Sequence, residues 1–146
     1  SKHAKALITS SAEQGAVPAN VSCEISAEDI LIERVRAGGS GIPAFFVIGN
    51  GTGNEQEKRT IDGKECVKET AIAGDVAIFR AKKADDEGNS YLPAGPMKKY
   101  NMYIPFAAKH VISIADEIVS VGQIEPEYVT VSGILVEAVV KASSLK

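Results

Sequence analysis

The sequence has no tryptophan, and only two cysteines, two histidines and two methionines among its 146 residues. Aromatic residues make up 5 % of the chain, too few to build the stacking platform on which single-stranded nucleic acids are held. Cys23 and Cys66 stand alone, without CxxC spacing, and His3 and His110 lie in unrelated contexts. A tetrahedral metal site would need its ligands to converge from separate parts of the chain, so no metal is expected. Positive charge is not in excess: 16 Lys and Arg against 19 Asp and Glu leave a net charge of −3, with the cations scattered among the acids. Without a basic face there is little to neutralise a phosphate backbone, and no nucleic-acid partner is expected. No apolar run approaches the roughly 18 to 20 residues of a membrane-spanning helix. The opening SKHAKALITSS has neither the length nor the cleavage site of a signal peptide. These features read as an intracellular protein with no membrane attachment, in which a disulfide between the two cysteines is poorly motivated.

What is present suits one globular domain: 45 % hydrophobic residues, 24 % charged residues, and length enough for a sizeable core. Residues 3–10 carry a short apolar run that reads as a buried strand. Residues 11–22, rich in Gly, Pro, Asn and Ser, read as a loop. SAEDILIERVRAGG then carries helix signals at both ends. Ser26 is placed as N-cap with Asp29 three residues on, Arg34 and Arg36 fall in the last turn, and Gly38 lies just beyond. Ile30, Ile32, Val35 and Leu31 supply its apolar side. Asp62-Gly63 between two alternating stretches predicts a peripheral β-hairpin over about 58–69. A largely buried strand is expected over 75–82 from Val76, Ala77 and Ile78, followed by a turn at DDEGN. A short helix is expected near 100–109, with Pro105 in its first turn or kinking it. Two further apolar strands fall in HVISIADEIV and GILVEAVVKA. Strands alternating with helices imply an α/β fold: an open mixed or mostly parallel sheet flanked by helices, forming a single domain over 1–146.

The stretch VRAGGSGIPAFFVIGNGTGN holds six glycines in twenty residues. Gly38, Gly39 and Gly41 superficially match a dinucleotide fingerprint, but that motif follows a strand and opens a helix, whereas here a helix precedes and a strand-like IPAFFVI follows. There is no GK[ST] ending of a phosphate loop and no GxSxG nucleophile elbow. One reading is a helix C-cap with Gly38 at positive φ and the other glycines allowing a tight return into the sheet. The other is a close backbone approach at a site. Most carboxylates lie in surface contexts. Asp75 and Glu117 border strands, where ligand-binding carboxylates occur, but nothing in the sequence pairs them. His110 reads as a capping or packed residue.

As ordered blocks, LIERVRAGGSGIPAFF, DGKECVKETAIAGDVAIFRAKKADDEGNSYL, KKYNMYIPFAAKHVI and ADEIVSVGQIEPEYVTVSGILVEAVVK resemble the α subunit, or α half, of family I coenzyme A transferases of the 3-oxoacid type. They span about three quarters of the chain in the family's order. The family's earlier glycine motif, of the form GGFxxxGxP, has no counterpart, so the chain looks like the C-terminal two thirds of an α subunit. VIGNGTGN replaces a TPTGxGT-like loop, and MKKYN replaces an ARNFN-like segment, keeping Asn101 and an aromatic at Tyr100.

The resemblance implies a CoA-transferase-like fold and transfer of coenzyme A, as substrate, between an acyl-CoA such as succinyl-CoA and a carboxylate such as a 3-oxoacid. No cofactor bound covalently by this chain is implied. It implies a catalytic glutamate in a β subunit or β domain, no catalytic residue in this chain, and assembly as a homo- or hetero-oligomer in a cytoplasm or mitochondrial matrix. Gly38, Gly39, Gly41 and Pro43 would form an active-site-proximal turn, with Asn101 as a ligand contact. The alternatives are a non-catalytic binding or assembly module on the same fold and, more distantly, a sugar-phosphate isomerase-like or ligand-sensing domain.

Overall fold

The computed structural model describes residues 5–10, 20–49, 51, 56–95 and 98–144. Strands β1 (Ala6–Thr9) and β2 (Ser22–Ile25) pair in parallel and lead into helix α1 (Glu28–Gly39). Strand β3 (Ala44–Ile48) follows, then the hairpin β4 (Lys58–Ile61) and β5 (Lys64–Thr70), forming a three-stranded antiparallel sheet in the order β3-β5-β4. The long strand β6 (Gly74–Asp85) starts a further sheet with β7 (Ser90–Tyr91), β8 (Ala108–Val119) and β9 (Ala138–Lys141), in the order β7-β6-β8-β9. β6, β8 and β9 run parallel and β7 is antiparallel. The crossover from β7 to β8 carries helix α2 (Lys98–Tyr103) and a 3₁₀ turn (Ile104–Ala107) that contains Pro105 near its start. The described residues are therefore α/β with mixed sheets, few helices and a hairpin over 58–70, the fold class expected from the alternation of elements.

The hairpin forms where its turn chemistry requires it. Asp62 (φ 50°) and Gly63 (φ 75°) both take left-handed conformations, matching the right-handed twist of the flanking strands. Glu57 stabilises this edge by accepting from Arg59 Nε (2.6 Å) and Lys68 Nζ (3.0 Å). These cations hold the Glu57 carboxyl below its usual range, Lys68 most strongly.

Four local expectations are corrected. Ser26 does not cap α1: its N–H donates to the Thr9 carbonyl (2.9 Å), extending the β1–β2 ladder, and Ala27 in extended conformation opens the helix instead. The residues before it are not all loop, since Ser22–Ile25 is a strand, while 11–19 lie outside the described residues. The first strand is exposed along most of its length rather than buried, and His3 lies outside the described residues. The expected helix near 100–109 ends early, because Pro105 turns the chain into a 3₁₀ segment and Ala108 already begins β8.

The core lies on one face of the four-stranded sheet. Ala77, Phe79 and Ala81 of β6, with Val111 of β8, Leu92 and Val131, form the buried cluster, and Met102, Ile104, Leu135 and Val136 pack against it. The other face of β6 is open: Val76 and Ile78, expected to be buried, are 55 % and 57 % exposed. Strand alternation sends their side chains opposite to those of Ala77 and Phe79, away from α2 and the connection after β8.

Candidate functional site

The glycine turn begins inside α1. Gly38 and Gly39 are helical, Ser40 is the C-cap, and the left-handed residue is Gly41 (φ 72°), not Gly38 as expected. The Gly41 N–H donates to the Gly38 carbonyl (3.2 Å) and the Ile42 N–H to the Ala37 carbonyl (2.9 Å). These are the two bonds of a Schellman motif, which satisfies carbonyls that a helix end leaves without partners.

Gly38 and Gly39 are explained by their neighbours. A Cβ on Gly38 would stand 2.7 Å from the Ile72 carbonyl carbon and collide with its oxygen; one on Gly39 would stand 2.7 Å from Phe106 Cβ. The Ile72 N–H donates to the Arg34 carbonyl (2.9 Å), fastening the β5–β6 connection to the helix. Pro43 is exposed, and its carbonyl accepts from the Ala71 N–H (3.0 Å) where β3 enters the sheet beside β5. The stretch 47–54 that departs from the family pattern is described only at residues 47–49 and 51.

Asn101 lies elsewhere, on α2, with its Nδ2 donating to the Arg80 carbonyl (3.3 Å). It borders a cleft of about 500 Å³ together with residues 78–82, residues 92–95, Lys98, Ile114 and Asp116. The glycine turn does not line this cleft. Both features meet the same crossover, since α1 packs against α2 and the 3₁₀ turn that holds Phe106. Within the cleft Arg80 donates to Asp116 Oδ1 from Nε (3.1 Å) and Nη2 (2.7 Å), and Lys82 lies 3.9 Å from Asp116 Oδ2. With Lys98 the cleft carries three cations to one carboxylate, a local positive surplus in an acidic chain.

The carboxylates noted at strand borders are ion-paired at the surface. Asp75 accepts from Lys109 Nζ (2.8 Å), which holds the acid below and the amine above their usual ranges. Glu117 lies 3.3 Å from Lys83, and His110 Nδ1 lies 2.7 Å from Glu137 Oε2, an exposed pair across the β8–β9 side of the sheet. Among the described residues no group of three or more His, Cys, Asp or Glu could hold a metal ion.

Two buried polar clusters go beyond what the sequence reading contains. Arg34, on the inner side of α1, forms an ion pair with Glu24 of β2, donates from Nε to the Thr70 carbonyl (2.8 Å), and lies 3.8 Å from the fully buried Glu69. Gln56 Nε2 also donates to Glu69 (3.2 Å). A cation in step with the apolar positions of α1 is the available signal; read as a helix-end charge alone, Arg34 gives no hint of this cluster.

The second cluster closes the β6–β7 turn. Asp85, 2 % exposed, accepts from the N–H groups of Glu87 (3.1 Å) and Asn89 (2.9 Å) and from Asn89 Nδ2 (2.9 Å). Asn89 Oδ1 in turn accepts from the Gly133 N–H (3.0 Å), and buried Ser90 and Ser113 share a hydrogen bond of 3.0 Å. DDEGN is legible as a turn, but its tie to Gly133, 44 residues beyond Asn89, is not.

Comparisons with known proteins agree with this architecture. The family model "Coenzyme A transferase" matches residues 2–142. The chain is 37 % identical over 124 residues to the A subunit of a probable succinyl-CoA:3-ketoacid coenzyme A transferase of Bacillus subtilis, covering 83 % of this chain and 52 % of that protein. It is 36 % identical over 121 residues to the acetoacetyl-CoA:acetate/butyrate CoA transferase alpha subunit of Clostridium acetobutylicum, covering 81 % and 55 %. Among solved structures, glutaconate coenzyme A-transferase from Acidaminococcus fermentans superposes with a TM-score of 0.72 at 22 % identity, over 84 % of this chain and 46 % of that one, which supports the fold alone. The chain spans about half the length of the curated relatives it matches. By the extent of the family match and by these identities, the chain belongs to the coenzyme A transferase family.

Proposed function

We propose that the chain is the α-subunit part of a coenzyme A transferase that moves coenzyme A between an acyl-CoA, such as succinyl-CoA, and a carboxylate, such as a 3-oxoacid. The observation that carries this reading is the family match over residues 2–142, set beside relatives whose names give them as the A or alpha subunit. The nucleophile in this proposal is a glutamate of a β subunit or β domain. Its carboxylate attacks the acyl-CoA carbonyl and expels the CoA thiolate, giving an acyl-glutamyl anhydride. The thiolate attacks the glutamyl carbonyl, releases the first acid and leaves a glutamyl-CoA thioester. The acceptor carboxylate then repeats the two steps in reverse. Backbone N–H groups facing the developing oxyanion stabilise each tetrahedral stage.

This assignment is consistent with five of the described carboxylates. Glu69 is buried beside Arg34, Asp85 is consumed by its own turn, and Asp75, Asp116 and Glu117 are ion-paired with lysines or arginine. In the proposal Gly38 and Gly39 act through packing, bringing the end of α1 onto the crossover, while Gly41 and Pro43 set the turn that follows. Asn101 contributes by holding the Arg80 carbonyl.

The test is turnover of succinyl-CoA with acetoacetate by the chain alone and by its complex with a β partner, followed by hydroxylamine or borohydride trapping. Activity is expected only in the complex, with the covalent species on the partner. A trapped thioester on this chain, or turnover by the chain alone, would refute the assignment. A stable complex without turnover would support an assembly module instead, the reading that the departures at residues 47–54 and 97–101 favour.

A further inference from the structure

β3 is an edge strand: among the described residues its one strand partner is β5, in the order β3-β5-β4. The pairing fixes which of its backbone groups are spent. The Ala71 N–H donates to the Pro43 carbonyl (3.0 Å) and the Gly49 N–H to the Glu65 carbonyl (3.3 Å). In the antiparallel register residues 43, 45, 47 and 49 therefore turn their N–H and C=O groups toward β5. Alternation sends those of Ala44, Phe46 and Ile48 the other way, out of the sheet edge.

The two edges of this sheet are built differently. β4, on the far side, carries Lys58 and Arg59, exposed cations of the kind that keep an edge from pairing. β3 reads AFFVI and, among the strands of the described residues, is alone in having no polar side chain. None of its residues is fully buried, and Ile48 is 67 % exposed. A neutral, apolar edge with open main-chain groups is a template for another strand.

The strand is also its own complement. About a two-fold axis at Phe46, an antiparallel copy places Ala44 opposite Ile48 and Phe46 opposite Phe46. Each of these is an outward-facing pair that can exchange both N–H···O bonds, and on the opposite face Phe45 meets Val47. Every cross-strand pair is apolar, and no charge on β3 meets its own copy across the axis. We infer that β3 is a self-association surface, pairing antiparallel with β3 of a second copy of this chain and joining the two three-stranded sheets into one that has β4 at each end. The cations of β4 stop further addition, so the assembly closes as a dimer instead of growing. A five-residue strand on each side is small against a standard interface of about 800 Å² per partner, so the dimer is a dissociable one. Nothing in this pairing depends on acyl transfer.

The test uses the 146-residue chain itself. Sedimentation velocity over about a hundredfold range of concentration is expected to show a monomer–dimer equilibrium governed by mass action. Hydrogen exchange supplies the signature: amides of Ala44, Phe46 and Ile48 exchange about tenfold or more slower in the dimer, while those of Phe45 and Val47, which face β5, change little. Ile48→Pro deletes an outward N–H at an exposed side chain, a change that edge strands tolerate. It is expected to keep the parent's circular dichroism and to weaken dimerisation about tenfold or more. Should Ile48→Pro lose its fold, Ile48→Lys leaves the backbone groups in place, charges the edge and is expected to weaken dimerisation in the same direction. Ile134→Lys, at a residue 91 % exposed and outside β3, is expected to dimerise as the parent does. A monomer throughout the range, a dimer without protection at 44, 46 and 48, protection at 75–82 in their place, a folded Ile48 variant that dimerises unchanged, or loss of the dimer in Ile134→Lys would each overturn the proposal.

Discussion

Gly38 and Gly39 owe their identity to what lies opposite them, and Gly41 owes its identity to its own backbone. The three therefore fail differently when changed. Gly38→Ala forces a methyl into the Ile72 carbonyl, backbone that cannot rotate away, and an overpacking cost of about 1 to 3 kcal/mol is expected. Gly41→Ala meets open space, since nothing lies within 4 Å of the added Cβ, and carries only the strain of its left-handed φ, about 1 to 2 kcal/mol. Chemical denaturation of the two variants checks the order: Gly38→Ala is expected to move α1 and the β5–β6 connection together, and Gly41→Ala to weaken the helix end alone. Gly39→Val is a poor probe of transfer, because Phe106 Cβ stands 2.7 Å from the new atom. A melting temperature below that of the parent is expected for it. Asp85→Ala should be costlier than a surface change. It removes the acceptor of three hydrogen bonds inside a closed turn and leaves the Glu87 and Asn89 N–H groups without it, a loss of about 2 to 3 kcal/mol.

Elements are pinned to one another by pairs that span them, and the start of the parallel sheet shows how such a pair depends on pH. Asp75 lies at the start of β6, Lys109 at the start of β8, and their contact of 2.8 Å lowers the acid from 3.8 and raises the amine from 10.5. A lowered carboxylate contributes stability above its unfolded value and loses it as pH falls through the folded one; a raised amine contributes below its unfolded value and loses it as pH rises through the folded one. The coupling between Asp75→Asn and Lys109→Met in a double-mutant cycle should therefore be present at neutral pH, vanish below the acid's lowered range and above the amine's raised range, and shrink in 1 M salt because both groups are exposed. 

Elements of this kind are partly legible in the sequence. α1 and the hairpin at 58–69 follow from local signals, periodicity in one and Asp62-Gly63 in the other. Which face of β6 is buried does not, because Val76 and Ala77 are both apolar and only the packing of Phe79 against Leu92 and Val131 decides it. Ser26 looks like a cap, but its backbone N–H completes a ladder with Thr9, and that partner is 17 positions away. The candidate turn is visible in the sequence, yet its left-handed residue lies three positions later than expected, since the collision that dictates Gly38 comes from residue 72.

At the scale of the whole molecule, stability is expected to be uneven, and Arg34 sits where the unevenness is controlled. β1 and β2 are four residues each, mostly exposed, and among the described residues form a two-stranded sheet, an arrangement marginal by itself. Among the described residues, the ties that connect it to the rest include the Ser26 N–H on Thr9, and Glu24 on Arg34, which also reaches Thr70 and faces Glu69. β6 and β8, in contrast, share a register of ten paired positions and carry much of the buried cluster. Replacing Arg34 by Met keeps much of the helix's apolar packing but withdraws the cation from one fully buried and one partly buried carboxylate. Breaking a buried pair from one side costs about 3 to 5 kcal/mol, because the remaining acid must find a proton or water. The loss should fall first on the segment that this pair ties to the helix. Native-state hydrogen exchange of Arg34→Met is expected to show amides in 22–25 exchanging much faster, while those of Ala77, Phe79 and Val111 accelerate only as far as the fall in global stability dictates. Uniform acceleration across all the sheets would mean instead that Arg34 supports the molecule as one cooperative unit, and that β1 and β2 are as firmly built in as the core.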